Sequence, residues 1–228
     1  MRGVLLQVRL DSTRLPKKAL LKIENLTVIE HAMKAAKKIT ANKYVLVTTE
    51  DSFKDLKPLA VKQGYDIFIG DKDNVLDRFV QAINYYALTQ VVRATGDNPL
   101  VSYELANILI DKHNKEGNDY SGFLNNPLGT GVEVINSNVL IDAHSKTSSK
   151  YDREHVTPYI YNNKNIYKVF QGNSPQKYLL PGSSVTIDTS DDYNRIVKLF
   201  HELYHGEIIP IERVVKWLKE EQLSSIHI

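Results

Sequence analysis

Through residues 1–115 short apolar runs alternate with amphipathic helical patterns, and that alternation leaves few architectures open. The runs Gly3-Val4-Leu5-Leu6, Tyr44-Val45-Leu46-Val47-Thr48, Asp66-Ile67-Phe68-Ile69 and Gln90-Val91-Val92-Arg93-Ala94 have the length and composition of buried strands. A helix is expected over 27–40, opened by a Thr27/Glu30 capping box. A second is expected over 56–63, with Pro58 in its first turn and Gly64 as its stop. Val75, Leu76, Phe79, Val80, Ile83 and Tyr86 recur at helical spacing, and another helix is expected over 103–115. Repeats of this kind build parallel strand pairs with right-handed crossovers. The expectation is an α/β fold with a mainly parallel central sheet flanked by helices, and ligands of such sheets sit beyond the carboxyl ends of the strands.

Beyond residue 115 the pattern is less regular. Short strands are expected at 120–123, 131–135 and 166–171, an exposed loop at 145–150, and a turn-rich connection at 172–182. Ser184-Val185-Thr186-Ile187 has strand composition. A helix bearing Ile196, Val197, Phe200 and Leu203 follows, and Pro210 starts a last one with Val214, Val215, Trp217 and Leu218. The 228 residues fit one domain over 1–228. Twenty-nine basic against 27 acidic residues, net +2, is too balanced for a general nucleic-acid or membrane-surface binder. With no cysteine, disulfides, thiolate metal sites and cysteine nucleophiles are excluded. No signal-peptide layout and no apolar run of about 18 residues are present, so a soluble cytoplasmic protein is expected.

Local clusters must therefore carry any anion binding. Arg9, Arg14 and Lys18 fall immediately behind the first strand, in the stretch Gln7-Val8-Arg9-Leu10-Asp11-Ser12-Thr13-Arg14-Leu15-Pro16-Lys17-Lys18. Guanidinium groups engage phosphate oxygens in paired hydrogen bonds, and a lysine adds a compact point charge, so the loop suits a polyphosphate. Its plain alternative is a solvated basic turn. Asp97 and Asp188 each follow a strand-like run, which puts both carboxylates at the same predicted edge of the sheet. Magnesium takes one or two carboxylates and leaves positions for water and phosphate oxygens. Taken singly, Asp97 also suits a turn before Asn98-Pro99, and Asp188 suits a helix start. The histidines show no metal-ligand spacing, and the motifs G-x-x-x-x-G-K-S/T, G-x-S-x-G and G-x-G-x-x-G are absent.

Order adds to these clusters. The residues R-x-D-S-T-R-L-P-x-K resemble the nucleotide loop R-x-x-S-x-R-L-P-G-K of the spore-coat polysaccharide cytidylyltransferase-like family, related to the 3-deoxy-manno-octulosonate and acylneuraminate cytidylyltransferases; Lys17 stands where glycine is common. In the same order, Gly70 to Phe79 resembles G-x-x-x-D-V-L-x-R-Y/F. Gly96-Asp97-Asn98-Pro99-Leu100 resembles the D-x-P segment, and Val185 to Asp192 resembles V-D-T-P-E-D, with Ser190 in place of proline. Gly129 to Val134 resembles G-x-D-V-E-V with Gly131 for the aspartate, and Arg153-Glu154-His155-Val156-Thr157 matches a further segment.

The resemblance implies a Rossmann-like nucleotidyltransferase fold and a CTP-dependent enzyme that transfers CMP to a sugar, sugar acid or related polyol (phosphate) for cell-surface polysaccharide assembly. By similarity, Arg9, Arg14 and Lys18 stabilise the phosphates during catalysis. Gln7, Ser12, Asp77, Arg78 and Asp97 join them in binding the nucleotide, and Asp97 with Asp188 holds Mg2+. Glu133, Arg153 and His155 face the acceptor, within an acceptor or dimerisation subregion around 120–182. A homodimer is implied, with neither nucleic acid nor membrane insertion. The departures at Lys17 and Gly131 motivate one alternative, a noncatalytic nucleotide-binding scaffold; another is a nucleotidyltransferase or glycosyltransferase using a different nucleotide.

Overall fold

The alternating first half folds into one sheet with helices on both faces, in a computed structural model that describes residues 1–226. The strands are β1 (Arg2–Gln7), β2 (Lys22–Ile23), β3 (Leu26–Thr27), β4 (Lys43–Thr48), β5 (Asp66–Ile69), β6 (Gln90–Thr95), β7 (Tyr120–Leu124), β8 (Glu133–Asn136) and β9 (Val169–Asn173). The helices are α1 (Val28–Ala36), α2 (Glu50–Lys62), α3 (Val75–Tyr86), α4 (Tyr103–Glu116), α5 (Ser137–Lys146), α6 (Lys150–His155), α7 (Pro158–Asn162), α8 (Ser190–Leu203) and α9 (Ile211–Ile226). Among the described residues the main sheet has seven strands in the order β5-β4-β1-β6-β8-β7-β9, and β2 and β3 form a small separate hairpin. All neighbours in it pair in parallel except β8, which runs against both β6 and β7.

Strand side chains alternate between two cores. Val4, Leu6, Leu46, Val92 and Ala94 pack with Ala32 and Met33 of α1 and with Ala106 and Leu109 of α4. Leu5, Val45, Val47, Val91 and Ile135 turn the other way, onto Phe79 and Ile83 of α3 and Leu140 of α5. Each large apolar side chain so buried contributes roughly 1.5–3 kcal/mol. A third cluster joins α8 and α9 to Ile23, Leu100, Val185 and Ile187, and so fastens the C-terminal helices beside the carboxyl ends of the central strands.

The capping box of α1 is present: Thr27 accepts the Glu30 backbone N–H, and the Glu30 carboxylate accepts the Thr27 N–H at 2.9 Å. Four expectations change. The first helix ends at Ala36, and 37–40 continue as turns. α2 begins at Glu50, which leaves Pro58 inside the helix instead of in its first turn. The proline is tolerated because both it and Lys54, whose carbonyl loses its partner, face water. α5 fills a stretch in which no helix was expected, and the loop at 145–150 shrinks to 147–149. Residues 184–187 are extended without joining the sheet. They make a single bridge, Leu128 with Ser184, and Val185 and Ile187 are buried against α8 and α9 instead. Among the described residues no helix is long and apolar enough to cross a membrane.

Candidate functional site

The carboxyl ends of β1 and β6 open into a cleft of about 450 Å³. Beyond β1 the chain stays pinned to its neighbours: the Val8 N–H donates to the Val47 carbonyl at 3.1 Å, and the Leu10 N–H to the Ser52 hydroxyl at 3.1 Å. The basic loop then turns at Lys17 into a short 3-10 turn, Lys18–Leu20. Lys17 has φ 51° and ψ 31°, the left-handed backbone that favours glycine, so the lysine keeps the turn that a glycine would make there. Its side chain points outward and pairs with Asp55 at 2.9 Å.

Lys18 points the other way and is the centre of the cleft. Its ammonium lies 2.8 Å from Asp97 Oδ2 and 3.1 Å from Asp188 Oδ1, and it donates to the Ile187 carbonyl at 2.7 Å. Burial opposes the charge, and the two carboxylates outweigh it, so the Lys18 ammonium is held above its ordinary pKa. Asp97 arrives on the turn after β6, and Asp188 on the extended segment before α8. Ninety-one residues separate them in the chain, yet they converge on one cation. Arg14 reaches the same Asp188 oxygen from the solvent side at 3.1 Å. Arg9 lies across the cleft, 3.2 Å from Asp11 and 4.0 Å from Glu154.

Of the residues singled out in the sequence, Gln7, Arg9, Ser12, Arg14, Lys18, Arg78, Asp97, His155 and Asp188 line this cleft. Arg78 is 2 % exposed. It donates from Nε and Nη2 to the Asp71 carbonyl at 2.9 and 2.6 Å, and from Nη2 to the Lys72 carbonyl at 3.1 Å, bracing the loop over the cleft. Burial, with the nearby Arg9 charge, lowers its pKa. Gly70 is required for this packing, since a Cβ there would lie 2.6 Å from Arg78 Cγ. The braced loop is also tied to the basic loop, because Lys72 bridges Asp11 at 3.1 Å and Asp51 at 2.9 Å. His155 packs against Tyr151 with ring centroids 4.4 Å apart and the rings tilted by 55°. It precedes a strained γ-type turn in which buried Val156 takes φ 75° and ψ −52° and the Thr157 N–H donates to the His155 carbonyl.

Three singled-out residues stand outside the cleft lining. Asp77 faces away and meets His144 at 3.0 Å and Gln81 at 2.6 Å. Glu133 lies one layer back, accepting from the Tyr120 hydroxyl at 2.6 Å, the Thr157 hydroxyl at 2.8 Å and the Arg93 guanidinium. Burial and this carboxylate drive the Tyr120 phenol pKa up. Arg153 donates to the Thr147 carbonyl and lines a neighbouring cavity. Arg93, not among the residues singled out in the sequence, stands opposite Glu133 in the β6–β8 register, donates to Gln7 Oε1 at 2.9 Å, and lines the cleft. A charged residue within an otherwise apolar strand was the available signal. At Gly131, a Cβ would sit 3.0 Å from the Asn126 amide, so an asparagine side chain already occupies the space beside that position.

Arg9, Arg14 and Lys18 around a cleft that Arg78 and Arg93 also line, with a carboxylate pair at one end, suit a phosphorylated ligand accompanied by a divalent metal. The convergence of Asp97 and Asp188 on one ammonium shows that both reach a common cation. Among the described residues no cluster of three or more acidic or histidine side chains could hold a metal by itself. Two carboxylates that leave further positions to phosphate oxygens fit the coordination habits of magnesium.

A family model described as Cytidylyltransferase matches residues 4–225. The chain is 35% identical over 206 residues to the spore coat polysaccharide biosynthesis protein SpsF of Bacillus subtilis (strain 168), covering 87% of this chain and 85% of that one. Among solved structures, a cytidylyltransferase from Leptospira borgpetersenii serovar Hardjo-bovis superposes with TM-score 0.87 at 24% identity, covering 98% of this chain and 95% of that one. A CMP:2-keto-3-deoxy-manno-octonic acid synthetase complexed with CTP superposes with TM-score 0.66 at 14% identity, over 88% and 98% of the two chains.

Proposed function

Since the chain belongs to the cytidylyltransferase family and is a nucleotidyltransferase, we propose that it transfers CMP from CTP to a sugar, sugar acid or related polyol (phosphate), releasing pyrophosphate for cell-surface polysaccharide assembly. The observation that carries this reading is the meeting of Asp97 and Asp188 at Lys18, in a cleft that Arg9 and Arg14 also line. The spore-coat relative supports the polysaccharide connection, and the like-folded synthetase complexed with CTP supports the choice of nucleotide.

In the reaction an acceptor oxygen forms a bond to the α-phosphorus while the bond from that phosphorus to the bridging oxygen breaks. The bonding pair leaves with pyrophosphate, and a hydroxyl acceptor gives up its proton to solvent water. Negative charge grows on the departing group. In this reading Arg14 and Lys18 receive it, with Arg9 on the opposite wall. Asp97 and Asp188 would hold Mg2+, which when bound supplies positive charge to the phosphate oxygens. Arg78 keeps the 70–74 loop over the cleft, and the Glu133 carboxylate with the Gln7 amide aims the Arg93 guanidinium. Positioned charge supplies the acceleration, without a covalent enzyme intermediate.

The test is nucleotide choice. With Mg2+ present, CTP is expected to raise the melting temperature more than UTP, GTP or ATP, and to be the nucleotide from which a panel of sugar-like acceptors releases pyrophosphate. Equal stabilisation by all four, or turnover with UTP alone, overturns the assignment to CTP.

A further inference from the structure

Among the described residues Arg93 is the cleft cation that stands on a strand of the sheet; Arg9, Arg14 and Lys18 follow β1, and Arg78 belongs to α3. It is fixed from two sides. Its Nε donates to Gln7 Oε1 at 2.9 Å and its Nη1 to Glu133 Oε2. The other Glu133 oxygen accepts the Tyr120 hydroxyl at 2.6 Å and the Thr157 hydroxyl at 2.8 Å, so the carboxylate that orients Arg93 is itself held in place.

A guanidinium carries five N–H groups and an ammonium three. Lys18 spends all of its own on Asp97, Asp188 and the Ile187 carbonyl. Arg93 spends two, and among the described residues its other three have no partner. The Arg93 side chain is 16 % exposed, against 44 % for Arg9 and 70 % for Arg14. Donors so enclosed gain from an oxygen that a ligand brings. Position decides which oxygen that is. Along the chain Arg93 comes shortly before Asp97, on the strand that leads to the carboxylate pair. Through Glu133 it is one carboxylate away from Thr157, which follows His155 on the wall opposite. Arg93 thus links the end where Lys18 and Arg14 gather to the wall that bears His155.

We propose that Arg93 is a further catalytic residue, whose free N–H groups hold the non-bridging oxygens of the nucleotide's α-phosphate, and that Glu133 is its positioning residue. The inference rests on the nucleotidyltransferase reading and deepens it. In that reading pyrophosphate leaves toward Lys18 and Arg14 while the acceptor comes from the His155 side, so the α-phosphorus lies between them. The acceptor oxygen bonds to that phosphorus as the bridging oxygen departs with its bonding pair. Meanwhile the non-bridging oxygens flatten from a tetrahedral toward a trigonal arrangement and keep their charge. Arg93 neither gives nor takes a proton in this step. A donor fork anchored beforehand by Gln7 and Glu133 meets those oxygens without reorganising.

Calorimetric titration of the full chain with cytidine, CMP and Mg2+-pyrophosphate separates the phosphate positions. The parent is expected to bind CMP about tenfold or more tightly than cytidine, through charge-assisted hydrogen bonds to the α-phosphate. In Arg93→Ala that advantage is expected to shrink to within about threefold, with cytidine and pyrophosphate affinities within about twofold of the parent. Arg14→Ala is expected to do the reverse, weakening pyrophosphate and sparing the advantage of CMP. Arg93→Lys keeps a cation opposite Glu133 but lacks the fork, so it is expected to lose the same advantage and covers the case in which the alanine variant misfolds. Glu133→Gln is expected to reduce the advantage in the parent and to add nothing in the Arg93→Lys background; a merely structural Glu133 would weaken all three ligands in both. If the parent binds CTP but prefers CMP no more than cytidine, or if Arg93→Lys keeps the full advantage or loses pyrophosphate along with it, the assignment of Arg93 is overturned and the nucleotide reading stands. If the parent binds neither CTP nor CMP, it is the functional reading that is overturned.

Discussion

Replacing Lys18 by methionine removes an ammonium that lies about 3 Å from each of two carboxylates. At an effective dielectric constant of about 20, each pair is worth roughly 5 kcal/mol of bare Coulomb attraction. Desolvation of the lysine, 12 % exposed, and screening of the aspartates, both about one-third exposed, leave on the order of 1 kcal/mol per pair, about 2 kcal/mol for the two together. A divalent ion that occupies the carboxylate pair must first displace this ammonium, so the same energy opposes metal binding to the nucleotide-free protein. Lys18→Met is therefore expected to bind Mn2+ in the absence of nucleotide roughly 10- to 100-fold more tightly than the parent. Titration followed by the electron paramagnetic resonance of free Mn2+ measures this directly. Without metal, the variant should be less stable by about 2 kcal/mol, and Mn2+ should restore more than it adds to the parent. An unchanged or weaker Mn2+ affinity in a folded variant would refute the argument that Lys18 and the metal compete for Asp97 and Asp188. Turnover in the same variant is expected to fall about a hundred- to a thousandfold, the loss of the proposed leaving-group stabiliser.

Asp97→Asn and Arg14→Ala are each expected to lower pyrophosphate release from CTP by a similar factor while leaving the far-ultraviolet circular dichroism intact; near-normal release by both would remove these residues from the machinery. Burial depresses the pKa of His31 and His113, whose neutral rings bond the Ile23 carbonyl and the Ser121 and Asn136 side chains. Because the unfolded values lie near 6.5, the stability these rings contribute is intact above about pH 6.5 and is lost as the pH falls toward their folded values. Melting at pH 7.5 and 5.0 should show that drop, with a shallower one in His113→Gln; equal melting temperatures would count against buried neutral rings. Lys17→Gly exchanges a left-handed lysine and its exposed Asp55 pair for a residue suited to that backbone, so the melting temperature should change by no more than about 2–4 °C and CTP binding should persist.

How legible the molecule was depended on how local each determinant is. The Thr27/Glu30 box and the helical spacing from Val75 to Tyr86 are set within a few residues, and the structure reproduces both. The reversed strand β8 is set by pairing with Gln90 to Arg93, some forty residues earlier, which composition does not encode. Residues 184–187 look like a strand because they are buried; the burial comes from α8 and α9, not from ladder partners. Within the site, motif order drew attention to Asp77 and Arg78 together. Successive helix residues point about 100° apart, however, so Arg78 turns into the cleft while Asp77 turns toward His144. Arg93 went unnoticed because its meaning comes from Gln7 and Glu133, which flank it only once the sheet has formed.

The single reversed strand also divides the molecule into a chemical rim and a silent one. β8 begins beside the cleft at Glu133 and ends on the opposite rim at Asn136, next to Gln90 and close to the turn where the Asn42 N–H meets the Arg2 carbonyl. Extra residues grafted at the Asn42 turn or ahead of Gln90 would thus emerge a full strand's length from the cleft. Peptide tags, fluorophores or surface tethers belong there, whereas lengthening the 125–132 connection would rebuild the approach to Glu133 and, through it, the setting of Arg93.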